Sequence, residues 1–254
     1  MELVVLIKQV PDLAEELEID ASGTDLAREW LSLVASEWDE YALEEALQLR
    51  DGSGGRVTCL ALDSGSVDEL LATCLARGAD RVVKVGAFER SPDSHTAARA
   101  FAAALRTLPH DLVLTGVQAL DDLDGQLAPL LATELGLPHI SVVTHIQIAS
   151  GAATVHQEYA GGLVAEFEVD LPAVLGVQTS REAPRYAPVS RVRQLLKTAE
   201  MEHVEVVVPA GSGLSIEAMS VPETGRAAEM ISGPPGEVAG RIAAILRERG
   251  VVKA

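Results

Sequence analysis

Short apolar runs, each too brief for a helix, recur between stretches of helical periodicity. That alternation restricts the fold more than any other feature of the chain. The runs are Leu3 to Ile7, Val57 to Leu62, Arg81 to Val85, Asp111 to Leu114 and Ala173 to Val177. A run of about five apolar residues fits a strand buried on both faces, whereas a helix needs roughly ten or more. Between the runs, Asp39 to Leu49 sets Tyr41, Leu43, Ala46 and Leu47 inward and Glu40, Glu44 and Glu45 outward. Ser36 and Asp39 read as a capping box for that helix. Three further helices follow: Ser66 to Ala76 with Gly78 at its end, Ser94 to Leu105 opened by Ser94, and Leu123 to Leu135 closed by Gly136 and Pro138. The spacing predicts an α/β fold, a parallel sheet with helices on both faces. Such sheets hold ligands beyond the carboxyl ends of their strands, at a switch point. The loops after Ile7, Leu62 and Leu114 are the ones so placed.

After Gly136 the pattern changes. Ile140 to Ile148, Ala153 to Tyr159 and Leu163 to Val169 read as strands of an antiparallel hairpin region, with turns at Ser150-Gly151 and Gly161-Gly162. Leu171-Pro172 leads back into the run at Ala173. Beyond Gln178 the segment 181–197 carries Arg181, Arg185, Arg191, Arg193 and Lys197 against a single Glu182, and Pro184 with Pro188 predicts an extended arm. Glu200 to Val208 fits a strand, Gly211, Gly213, Pro222 and the Gly233–Gly236 stretch mark loops, and Val238 to Arg249 fits a last helix. The division expected is a core over 1–180 and an arm with a C-terminal helix over 181–254. Such an arm either lies on another subunit or folds back on its own core, and pattern alone supports both equally.

Composition removes several function classes. The 254 residues carry a formal charge of −18, which repels phosphate backbones and argues against nucleic-acid binding. Cys59 and Cys74 form no C-x-x-C, so neither zinc nor a redox dithiol is signalled, and a reduced, cytoplasmic setting is expected. No signal peptide is expected ahead of the first strand, and no apolar run is long enough for a membrane span. The six histidines show no metal-ligand spacing; His145 and His156 fall on facing strands. Neither G-x-G-x-x-G nor G-x-x-x-x-G-K-[ST] occurs, and Ser212 and Ser215 in G-S-G-L-S form no nucleophile elbow. With no nucleophile, base and oxyanion site to assemble, the chain suits a carrier or binding protein better than an enzyme.

The most informative stretch is T-G-V-Q-A-L-D-D-L-D-G-Q-L-A-P, Thr115 to Pro129. It joins the carboxyl end of a strand to a helix, where free N–H groups at Asp124 to Leu127 and the helix dipole favour an anion. Asp121, Asp122 and Asp124 can cap that helix, meet ribose hydroxyls or ligate a cation, although D-D-x-D lacks the further ligands of a calcium loop.

Several stretches, taken in order, resemble the electron transfer flavoprotein β-subunit family. They are L-V-V-L-I-K-Q-V-P-D at the start, D-E-Y-A-L-E-E-A-L-Q-L-R from Asp39, A-R-G-A-D-R from Ala76, D-L-V-L-T-G-V-Q-A-L-D-D-L-D-G-Q from Asp111, Y-A-G-G-L-V-A-E-F-E-V-D-L-P-A-V from Tyr159 and E-A-P-R-Y from Glu182. The match is collinear over about residues 1 to 190, and six motifs in order are specific where each alone is weak. The resemblance implies a Rossmann-like, adenine-nucleotide-binding core and a carrier subunit rather than an enzyme. It implies pairing with an α subunit that holds most of an FAD, so that the pair shuttles electrons from a dehydrogenase to an acceptor. It also implies an AMP in the chain's own pocket, or a second FAD in a bifurcating branch. Carried over by position, that pocket comprises Leu6, Ser36, Glu37, Trp38, Asp39, Leu62 and the loop Gly116, Val117, Gln118, Ala119, Leu120, Asp121, Asp122, Leu123, Asp124, Gly125, Gln126 and Leu127. On this reading Gly125, Gln126 and Leu127 offer amides to the phosphate, and Asp121 and Ser36 sit near the ribose or adenine edge. Arg181, Arg185 and Tyr186 would face the α subunit. Ser36-Glu37 stands where the family usually has Asn-Pro, Val117 where Lys or Arg is usual, and Val189 at the usual docking leucine. The alternative of another class is a stand-alone adenine-nucleotide-binding regulator, against which the missing glycine-rich phosphate loop speaks.

Overall fold

A computed structural model of the chain describes residues 1–122, 124–149, 151–208, 215–222 and 228–252. They form two units, Met1–Glu217 and Ala218–Ala254. The first unit runs β1 (Glu2–Leu6), β2 (Gln9–Pro11), β3 (Leu33–Ala35), α1 (Glu37–Ser53), β4 (Arg56–Leu62), α2 (Asp68–Arg77), β5 (Arg81–Val85), α3 (Ser94–Leu105), β6 (Leu112–Gly116), α4 (Leu127–Leu135), β7 (His139–Ala149), β8 (Ala152–Tyr159), β9 (Leu163–Asp170), β10 (Ala173–Val177), α5 (Val189–Thr198) and β11 (Glu202–Val204). The second contains α6 (Pro235–Glu248), with Pro235 in its first turn and an Arg241–Glu229 ion pair of 3.0 Å.

The large sheet has the order β11-β5-β4-β1-β6-β10-β7-β8-β9. Strand β1 pairs in parallel with β4 and β6, and β10 in parallel with β6 and β7. The chain steps from β1 through β4 to β5 in one direction and from β6 to β10 in the other, so the switch point lies between β1 and β6. The apolar runs are continuous because both faces are covered. Leu3 and Val5 of β1 join the core under α1 and α2, while Val4 and Leu6 join the core under α3 and α4. The hairpin region is antiparallel as expected, β7 with β8 and β8 with β9, and His145 pairs with His156. Gly161 and Gly162 form the second turn at φ of +82° and +76°; Ser150, in the first, lies outside the described residues.

Several helix starts differ from the sequence expectation. Ser36 precedes α1 but its side chain makes no cap, and Asp39 turns inward instead of completing a capping box. Asp93, not Ser94, caps α3, accepting the N–H groups of His95 and Thr96 at 3.0 and 3.2 Å. Helix α2 starts at Asp68 rather than Ser66.

Glu44 and Glu45 were expected outward on α1 and are buried, with 2% and 1% of their surface exposed. The segment after β10 crosses that face of the helix. Glu44 accepts the Arg185 backbone N–H at 3.0 Å and its Nε–H at 3.1 Å, and Arg181 Nε lies 3.7 Å from Glu45. Burial raises the Glu45 carboxyl above its ordinary range, against the pull of Arg181. Nor is the segment beyond Gln178 extended throughout. Pro188 sits at the N-cap of α5, which packs on α2, and β11 adds to the sheet beside β5. Gly211, Ser212 and Gly213 lie outside the described residues. Among those described, no helix is long and apolar enough to cross a membrane.

Candidate functional site at the strand tips

Asp39 organises the switch point. It is the third residue of α1, 7% exposed, and its two carboxylate oxygens reach two different strand ends. Oδ2 accepts the N–H of Lys8, just past β1, at 2.9 Å, and Oδ1 accepts the N–H of Gly116, the last residue of β6, at 2.8 Å. Ser36 N–H adds a bond to the Lys8 carbonyl at 2.9 Å. The first turn of α1 is thereby stitched to both strands that flank the crevice. Burial pushes the Asp39 carboxyl up to about 7, opposed by the two N–H groups and by Lys8 and reinforced by Asp121. Gly116 has to be small: a Cβ there would come within 2.6 Å of Asp39 Oδ1 and 2.7 Å of Trp38 Cβ. The Ser36 hydroxyl is buried beside this stitch with no hydrogen-bond partner among the described residues.

The acidic loop is a folded turn. Val117 N–H bonds the Val177 carbonyl at 2.9 Å, anchoring the loop to β10. Ala119 and Asp122 then exchange two backbone hydrogen bonds, at 3.1 and 3.0 Å, and Gly125 N–H reaches the Asp122 carbonyl at 3.4 Å. Gly125 takes φ of +62°, and a Cβ on it would meet the Val117 carbonyl oxygen at 2.6 Å. Only glycine allows that return. The turn delays α4 to Leu127, with Gln126 at the N-cap and no side-chain cap. The amides without an intrahelical acceptor at the start of α4 are therefore those of Leu127 and Ala128, since Pro129 has none; of the expected phosphate donors only Leu127 falls in this turn, and the Gly125 N–H is directed at the Asp122 carbonyl instead.

The three aspartates diverge. Asp121 Oδ1 lies 2.7 Å from Lys8 Nζ, Asp122 accepts a hydrogen bond from the Ser94 hydroxyl, and Asp124 is exposed. None of them caps α4, so the simple acidic N-cap is not what this loop forms.

Leu6 ends β1, Leu62 ends the neighbouring β4, and Ser36 to Asp39 enter α1, so these positions gather with Gly116 to Leu127 at the carboxyl edge of the sheet. Glu37 and Leu120 face solvent there, and Leu123 lies outside the described residues. Lys8 was missed at the sequence level; its place directly after the first buried strand was the available signal. Arg181 and Arg185 pair with this chain's own Glu45, Glu44 and Asp51, while Tyr186 is 79% exposed.

A sheet of this order, with a glycine-turned loop at its switch point, defines an α/β protein of the class that takes ligands, where it takes any, at the strand tips. Residues 26–209 match the electron transfer flavoprotein domain, and the chain belongs to the electron transfer flavoprotein β-subunit family. It is 34% identical over 266 residues to the electron transfer flavoprotein subunit beta of Methylophilus methylotrophus, covering 98% of each chain. The subunit of the same name from Bacillus subtilis is 27% identical, with 99% of this chain and 100% of that one covered. The caffeyl-CoA reductase-Etf complex subunit CarD of Acetobacterium woodii is 30% identical over the same shares, 99% and 100%.

Proposed function

We propose that this chain is the β subunit of an electron transfer flavoprotein, holding AMP in the crevice between the tips of β1 and β6. It pairs with an α subunit that carries FAD, and the pair passes electrons from a dehydrogenase to an acceptor. The buried, unpartnered Ser36 hydroxyl carries the nucleotide reading. A buried hydroxyl left unpaired is costly, and a ribose or purine edge would satisfy it. The uncapped start of α4 and the tight turn at Gly125 fit the same ligand, because a phosphate is favoured at such a terminus. The flavin supplies the redox chemistry; this chain orders the walls beside it. The segment from 181 onward, with exposed Tyr186 and Val189, is the face we assign to partner subunits, and the setting is cytoplasmic, in keeping with free Cys59 and Cys74.

Co-expression with an α subunit of the family tests the pairing. The expected product is a yellow heterodimer, with little flavin on this chain alone. Colourless chains that elute separately would count against it.

A further inference from the structure

We infer that Lys8 is the residue that neutralises the nucleotide phosphate, exchanging its ion pair with Asp121 for one with the ligand. This rests on the nucleotide reading above and adds a residue to it. The loop 116–127 carries three aspartates and no lysine, arginine or histidine, and positions 36–39 add Glu37 and Asp39 but no cation. A phosphate monoester brings a further charge of roughly −1.5 to −2 at neutral pH. A helix terminus offsets only about half a charge. Lys8 stands at the mouth of that acidic crevice. Its backbone is fixed on both sides, N–H to Asp39 and carbonyl to Ser36 N–H, so its side chain leaves from a rigid point. Its ammonium lies 2.7 Å from Asp121, with 27% and 32% of the two side chains exposed. A pair so open to water is weak, about 0–1 kcal/mol, and yields readily to a doubly charged partner.

Calorimetric titration of the full chain with AMP and with adenosine tests this, read as the ratio of the two affinities. In the unaltered chain AMP binds the more tightly. Lys8→Met is expected to weaken AMP by roughly 10- to 100-fold and leave adenosine within about twofold, so the ratio collapses. Lys8→Arg keeps most of it. Asp121→Asn frees the ammonium and raises the ratio severalfold, and it decides the matter if Lys8→Met fails to fold. Equal losses for both ligands in Lys8→Met, an unchanged ratio, or a lower ratio in Asp121→Asn would overturn the role of Lys8 while leaving the crevice as a nucleotide site. An unaltered chain, stripped of bound nucleotide, that binds neither ligand alone or paired with its α subunit removes the nucleotide reading, and this inference with it.

Discussion

At the scale of single residues, Asp39 holds the site together because a carboxylate offers two acceptors at once. Asparagine offers one acceptor and one donor, so Asp39→Asn leaves the N–H of Lys8 or of Gly116 facing an amino group. Loss of about 1–3 kcal/mol is expected, measured by urea unfolding. The pH dependence follows from burial. The Asp39 carboxyl is raised from 3.8 to about 7, so the folded chain holds that proton more tightly than the unfolded one. Its contribution is fully present below the ordinary value and is lost as pH rises through the folded one. Unfolding profiles between these limits should slope downward with pH and be shallower in Asp39→Asn. The slope should not vanish, because the raised Glu45 acts in the same direction. A profile with the same slope in both proteins would contradict this. The sequence placed Asp39 at the right turn of the right helix but gave it a capping role. Its true partners lie 31 and 77 residues away in the chain, beyond the reach of local pattern.

At the scale of elements, the buried strands and five of the six α-helices among the described residues could be read from the chain, since apolar run length and helical period are local properties. The exceptions have non-local causes. Glu44 and Glu45 look like a solvated face until the segment carrying Arg181 and Arg185 covers them, more than a hundred residues later. Helix α5 was hidden by Pro184 and Pro188, yet Pro188 sits at its N-cap, and buried Val192 with half-buried Leu195 gives it an inner edge at i, i+3 spacing. The β2–β3 pair is three residues on each side, too short for alternation to register. The strap across α1 is open to test. Arg185→Ala strands the buried Glu44 without its cation and should cost roughly 3 kcal/mol or somewhat less, because Arg185 is itself 34% exposed. Hydrogen exchange should rise over 181–188, with Arg185→Lys intermediate. An unaltered exchange pattern would mean that the strap is held by other contacts.

For the whole molecule, family membership was readable because six motifs keep their order, even though each is weak. The candidate pocket was readable only as a set of positions; what joins them is tertiary, the Asp39 stitch, the Gly125 return and the Lys8–Asp121 pair. On the proposed reading, a chain this acidic would keep an anionic ligand only where main-chain amides and one lysine outweigh the surrounding carboxylates. That balance is tested most directly by denaturing the purified chain and identifying the released small molecule by mass. The reading predicts AMP in an amount close to that of the protein; FAD instead would assign the same crevice to the bifurcating type. Recovery of no adenine nucleotide from the chain, alone or paired with its α subunit, would contradict it.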